Sequence, residues 1–168
     1  HMADGYARAS NNPGVILAGQ NGPGATNLVT GIAQAKAAFS PVIALAGSYS
    51  TNDKMEDAFQ GLDQQSLFKP ITKKTWTVNK VKQIPKVLSS AFKLSMTPRR
   101  GPVCVNLPRN ILAENSKFEI DGNIKSFENE NKSKGKVSQI KKAVSIILKS
   151  KKPVIVAGGG IKYTSKHQ

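Results

Sequence analysis

Thirteen residues near the start of the chain, Val15-Ile-Leu-Ala-Gly-Gln-Asn-Gly-Pro-Gly-Ala-Thr-Asn27, constrain its fold more than any other stretch. An apolar run stops at Gly19, a loop with glycines at 22 and 24 follows, and the helical spacing Leu28, Ile32, Ala35, Phe39 takes over. Strand, tight turn and helix in that order form the α/β arrangement that brings backbone and small polar groups up to a ligand. The strand segment Val15–Ala18 shows no polar alternation, which predicts burial on both faces, as in a parallel sheet.

The same alternation continues along the chain. Residues 1–9 read as the end of a helix, and Asn11-Asn12-Pro13-Gly14 reads as a turn. A small-residue helix is expected over 25–38 and a buried strand over Pro41–Ala46. A polar, irregular loop spans 48–62, of a length more often functional than not. A short helix Gln64–Phe68, a half-wet strand Thr75–Val78 and an amphipathic helix over 80–97 come next, the last starting near Ile84 because of Pro85. Pro102–Leu107 is a third buried strand, ended by Pro108. Residues 113–136 have a linker composition, polar and poor in apolar residues. A helix carrying Val137, Ile140, Val144 and Leu148 and a strand Pro153–Ala157 then lead to Gly158-Gly159-Gly160. Helix alternating with strand implies a parallel sheet with right-handed crossovers.

Charge does not change this picture. The net charge of the 168-residue chain is +15, but the excess is spread: 13 Lys/Arg against 5 Asp/Glu in residues 1–112, and 12 against 5 in 113–168. No nucleic-acid motif is present and the aromatics are not interleaved with lysines, so a Lys-rich surface is the reading preferred over polyanion binding. No apolar run approaches the roughly 20 residues of a membrane span, and the first residues lack signal-peptide features. The single cysteine, Cys104, rules out an internal disulfide and fits a reducing, cytoplasmic setting; within Pro102-Val-Cys-Val-Asn106 it reads as a buried inert thiol.

Several constellations carry a chemical reading beside a plainer one. Gly22-x-Gly24-x-x-Asn27 approaches a dinucleotide fingerprint, but its third glycine is Asn, Pro23 lacks an N–H, and no acid stands about 20 residues on. Gly158–Gly160 suits a phosphate turn or an ordinary βα turn. Asp53, Glu56, Asp57 and Asp63 lack the spacing of a calcium loop and read as surface acids, so no metal ligand is assigned. His1 and His167 stand at the two termini, too far apart in sequence to argue a triad or zinc site. Gln20, Asn21, Asn27 and Gln60 are uncharged amides beside apolar strands, able to position a heteroaromatic ring or to serve as caps and loop ties.

Taken together the motifs resemble thiamin-diphosphate-dependent enzymes. Met2-Ala-Asp-Gly-Tyr-Ala-Arg8, Gly22-Pro-Gly-Ala-Thr-Asn27, Ser40-Pro-Val-Ile-Ala-Leu-Ala-Gly47, Asp57-Ala-Phe-Gln60, Ile71-Thr-Lys73, Gly101–Arg109 and Lys152–Gly160 occur in that family's order and spacing. The branch most resembled is acetolactate synthase, with sulfoacetaldehyde acetyltransferase and 2-oxoacid decarboxylases among its relatives. The resemblance implies an α/β, three-layer, mostly parallel sheet with helices on both faces. It implies an incomplete pyrimidine-binding domain at 1–112, a linker at 113–135 and the truncated start of a central α/β domain at 136–168. Gly22, Pro23, Gly24, Asn27 and Gln60 match the pyrimidine side of the cofactor site, and Phe59 and Lys73 match substrate-channel positions.

The family's glutamate, which promotes the amino–imino tautomer of the pyrimidine, belongs upstream of His1, so no catalytic residue is assigned and this chain alone is expected to be inactive. Thiamin diphosphate is the implied cofactor, and the cofactor is the electron sink of the chemistry. Its magnesium ion belongs to a third domain, and flavin adenine dinucleotide is left open because its site would lie mostly in the central domain. The implied partners are a second subunit of a homodimer or tetramer and a small 2-oxoacid. Gln20-Asn21, more like sulfoacetaldehyde acetyltransferase, and Gly61, where a glutamate is common, depart from the acetolactate synthase pattern. Two other readings stand beside this one: acyl transfer of the sulfoacetaldehyde acetyltransferase kind, and a non-catalytic binding or regulatory protein that kept the fold.

Overall fold

Apolar runs without alternation suit strands covered on both faces, and the inner strands of the computed structural model follow that rule. It describes residues 1–117, 135–159 and 161. Four strands, β1 (Gly14–Ala18), β2 (Val42–Ser48), β3 (Thr75–Thr77) and β4 (Val103–Pro108), make one sheet in the order β1-β2-β4-β3. Every pairing is parallel, with Gly14 opposite Val42, Ile43 opposite Val103 and Thr75 opposite Cys104.

Side chains alternate across this sheet, and each face has its own helices. Ile43, Val103 and Val105 point to one face, where they pack with Ala91, Val87 and Phe92 of α5 (Ile84–Met96). Ala44, Ala46 and Cys104 point to the other, against Ala25 of α2 (Pro23–Thr26), Ile32 of α3 (Val29–Ala37) and Phe68 of α4 (Gln64–Phe68). Ala7 of α1 (Met2–Ser10) closes the same face near Ala35 and Val42. The fold is therefore α/β in three layers, as the alternation of segments predicts. A last short helix, α6 (Arg109–Leu112), follows β4 directly and seats Ile111 in the core.

The chain divides into two compact units, His1–Glu128 and Asn129–Gln168. In the second, α7 (Val137–Lys149) has the predicted amphipathic spacing, with Val137, Ile140, Ile147 and Leu148 exposed. Among the described residues no helix is long and apolar enough to cross a membrane.

Three expectations need correction. Val15–Ala18 is not buried on both faces: at the edge of the sheet only its Ile16 side packs on the core, and Val15 and Leu17 on the other side are exposed. The helix expected over 25–38 begins earlier, at Pro23, and is interrupted at Asn27-Leu28. Pro23 takes the first helical position, where its missing N–H was never needed. The strand expected over Pro153–Ala157 does not form: Val154, Ile155 and Val156 are exposed and pair with no described strand. A strand exists only with a partner, so β-rich composition cannot make one by itself. Gly160 and His167 lie outside the described residues, and with them the end of the Gly158–Gly160 turn.

Cys104 sits fully buried on β4, and burial pushes its thiol up to about 12 from 9.0. At pH 8 only on the order of 1 in 10⁴ of such thiols is ionised. Iodoacetamide is therefore expected to label folded chain far more slowly than urea-unfolded chain at that pH; equal rates, read by mass spectrometry, would contradict the buried placement.

Candidate functional site

In a parallel sheet the loops leaving the C-terminal strand ends share one edge, which is where α/β folds place ligands. Here that edge collects Gly19–Gly22 after β1, Ser48 at the end of β2 with Tyr49 after it, and Arg109 after β4. The turn after β1 is fastened to the Phe59-Gln60 turn nearly forty residues on. Gln20 donates from Nε2 to Gln60 Oε1 at 2.5 Å, and Asn21 Nδ2 donates to the Phe59 and Gln60 carbonyls at 2.9 and 3.0 Å.

Backbone conformation explains why a glycine stands between them. Gly22 has φ +56° and ψ −108°, and a Cβ there would lie 2.6 Å from the Gln60 carbonyl oxygen and 2.9 Å from Gln60 Cβ. Gln60 itself occupies the left-handed region at φ +57°. Gly61 is equally confined, since a Cβ would come within 2.0 Å of the Met55 carbonyl. The two turns thus approach backbone to backbone, and small residues are a condition of the contact.

The sequence-predicted residues separate into three groups. Gly22, Gln60 and Phe59 are brought together. A cavity of about 210 Å³ opens beside them, bounded by Gly19, Gln20, Asn21, Gly47, Phe59 and Arg109 among others. Pro23, Gly24 and Asn27 lie along α2, with Asn27 exposed at its C-terminal end and its backbone N–H on the Pro23 carbonyl at 3.1 Å.

Lys73 is elsewhere. It precedes β3, its N–H binds the carbonyl of Pro102 at 2.7 Å, and so it stands at the N-terminal edge, a strand length of about 20 Å from the Gln20–Gln60 contact. Its Nζ donates to Leu94 O, Thr97 O and Thr97 Oγ1 at 2.7, 3.1 and 2.9 Å, fixing the last turn of α5, and burial draws its pKa below the usual lysine value. The structure does not bring Lys73 to the other predicted site residues.

Arg109 is the cation that sequence reasoning missed. It follows Pro108 at the end of β4, lines the cavity with Phe59, and holds Asp53 Oδ2 at 2.8 Å. The signal for it was positional: the first polar residue after a buried parallel strand falls on the ligand edge.

The chemistry of this edge is selective. Uncharged amides and main-chain groups suit a neutral heteroaromatic ring, which needs donors and acceptors without charge. They do not suit a diphosphate, because among the described residues the one cation lining the cavity is already paired with Asp53.

A parallel sheet with a glycine turn clasped to a Phe-Gln turn at its ligand edge defines a class of cofactor-binding domain. Residues 1–67 match the family described as thiamine pyrophosphate enzyme, N-terminal TPP binding domain, and belong to it. The whole chain resembles the acetolactate synthase branch. It is 43% identical over 164 residues to the probable acetolactate synthase large subunit of Methanococcus aeolicus, covering 96% of this chain and 27% of that protein. It is 44% identical over 164 residues to the probable large subunit of Methanocaldococcus jannaschii, covering 96% and 28%. Against the isozyme 3 large subunit of Escherichia coli it is 38% identical over 172 residues, covering 100% and 29%. The chain thus spans less than a third of the length of these relatives.

Proposed function

We propose that residues 1–112 form the pyrimidine-side domain of a thiamin-diphosphate-dependent enzyme that makes or breaks a C–C bond beside a 2-oxoacid carbonyl, as acetolactate synthase does. The linker then spans 113–135, and 136–168 open a central domain. The observation that carries this reading is the clasp between Gln20-Asn21-Gly22 and Phe59-Gln60 at the C-terminal edge of the sheet. It joins two segments distant in sequence, in the family match and in the resemblance, at the edge where α/β folds bind ligands.

In this reading Gly22 and Gln60 set the height of the platform on which the pyrimidine rests, and Phe59 with Arg109 bounds the approach to it. The cofactor, when bound, supplies the electron sink for the carbonyl chemistry. This chain's part is to orient the ring with neutral donors and acceptors and to exclude water with Phe59. Diphosphate and its magnesium ion are assigned to a part of the enzyme beyond these residues, as is any flavin. A second subunit completes the site, and the enzyme works in the cytoplasm.

The test is a pair of measurements. The full reading frame containing this chain, supplied with pyruvate, thiamin diphosphate and magnesium, is expected to form acetolactate. Gln60→Ala in that protein should lower kcat/KM by about tenfold or more, the loss of one oriented hydrogen-bonding group at a reacting site. Turnover that is independent of thiamin diphosphate, or unchanged by the substitution, would remove the proposal. The 168-residue chain alone is expected to give no heat of tight binding with thiamin diphosphate and magnesium in calorimetry; a micromolar dissociation constant would contradict the absence of the diphosphate site.

A further inference from the structure

A second cavity, of about 280 Å³, opens at the ends of β2, β3 and β4, between the 49–63 loop and α4. It shares Ser48, Tyr49 and Asp53 with the first but is otherwise lined by different side chains, among them Asp63, Gln64, Thr77 and Asn106. Gln64 and Asn106 are almost wholly buried, at 3% and 2% exposure. A polar network fixes their orientation. Gln64 Nε2 donates to Gly47 O at 3.1 Å and to Asn106 Oδ1 at 3.2 Å, and Asn106 Nδ2 donates to Thr77 Oγ1 at 3.3 Å.

Both acceptors of the Gln64 amide group would face an oxygen if the amide were flipped, so its orientation is settled. Its Oε1 is then left buried with no hydrogen-bond partner, and Ser48 Oγ beside the same cavity has none either. Such oxygens cost about 1–3 kcal/mol each unless something donates to them. Two carboxylates also line the space. Asp53 is answered by Arg109, while Asp63 accepts from uncharged donors, the Ser66 hydroxyl and the Ser66 N–H, the latter at 3.0 Å, and has no ion pair among the described residues. Among the described residues, no Lys, Arg or His lines the cavity in a chain whose net charge is +15.

We infer that this cavity is a binding site for a small organic cation with N–H donors, a primary ammonium, which would give hydrogen bonds to Gln64 Oε1 and Ser48 Oγ and its charge to Asp63. The surroundings are acceptor-rich, carry negative charge and lack cations, which is the complement of that group. A divalent metal fits less well: no cluster of three acidic, His or Cys ligands occurs among the described residues. None of the clasp residues Gln20, Asn21, Phe59 and Gln60 lines this cavity, and the inference does not depend on the thiamin reading.

The test is a titration of the isotope-labelled 168-residue chain with methylammonium chloride, followed by the side-chain amide signals of Gln64 and Asn106. Saturable shifts with millimolar affinity, the range for so small a probe, are expected. Sodium and magnesium chloride at matched ionic strength should not reproduce them. Ser48→Ala should keep the fold, because it removes an unpartnered hydroxyl, and weaken binding roughly two- to tenfold. Asp63→Asn, which retains an N-cap side chain, should weaken it further. Linear, non-saturating shifts, equal shifts with the metal salts, or unchanged affinity in both variants would overturn the inference.

Discussion

Phe68→Ala is expected to lower the stability of the chain by about 3–5 kcal/mol, the range for emptying a buried aromatic site. Phe68 is the last residue of α4 and is fully buried against Ala25, Ala44, Ala46, Cys104 and Ile32. Three alanines and a cysteine have no side-chain length with which to fill the hole, while Ile32 and the partly buried Ile16, Leu28, Val29, Leu67 and Ile71 of the same cluster can lean into it only in part. Relaxation recovers some of the loss, and the cost falls within that range. With a urea dependence near 2 kcal/mol/M, the midpoint should fall by about 2 M at unchanged slope. Phe68→Leu, which keeps most of the volume, should recover more than half of the loss. A midpoint shift under about 0.5 M for the alanine variant would mean that α4 is not anchored as the structure has it.

α4 also has a polar anchor of a different size. Asp63 caps it, and hydrogen bonds from the Ser66 hydroxyl and from the Ser66 N–H, the latter at 3.0 Å, hold the carboxyl below its ordinary value of 3.8. Asp63→Ala should cost about 1 kcal/mol at pH 7. For a carboxyl whose folded pKa is depressed, that contribution is present above the unfolded value and fades as pH falls through the folded one. The difference between the two proteins should therefore shrink in denaturation curves taken well below pH 3.8.

How much of this was legible in the sequence depends on whether a residue's role is local. The strands β2 and β4 are read directly from Val42-Ile-Ala-Leu-Ala and Val103-Cys-Val, because a strand covered on both faces needs apolar residues at consecutive positions. The start of α5 at Ile84 follows from Pro85 in its first turn. The segment Pro153–Ala157 has the same composition and forms no strand, because pairing is a property of two segments. Within the site, the amides Gln20, Asn21 and Gln60 could be listed from the sequence as ligand or loop groups, but not that Gln20 and Gln60 bind each other. Arg109 ends the Gly101–Arg109 motif, but its place at the site escaped notice because strand order and direction, not its neighbours, put it there. Lys73 was singled out by resemblance, and its surroundings at the end of α5 give it a structural task that periodicity could not show.

Gly22→Ala is the second large effect, and it separates the clasp from the core. At φ +56° and ψ −108° the backbone is outside the regions open to an alanine, which costs about 1–3 kcal/mol. The new Cβ would also stand 2.6 Å from the Gln60 carbonyl, a backbone atom that cannot turn aside. Either Gly22 moves and the entry to α2 is lost, or Gln60 moves and surrenders its bonds from Gln20 and Asn21. A total loss of about 3 kcal/mol is expected, together with collapse of the Gln20 and Asn21 side-chain amide signals toward solvent-exposed positions. Gly5→Ala is the control. It lies within α1, a Cβ there meets nothing within 4 Å, and the substitution should stabilise by about 0.5–1 kcal/mol through helix propensity. If Gly22→Ala instead behaves like Gly5→Ala, the two turns do not approach as closely as 2.6 Å. The platform on which the pyrimidine is proposed to rest would then not exist in this form.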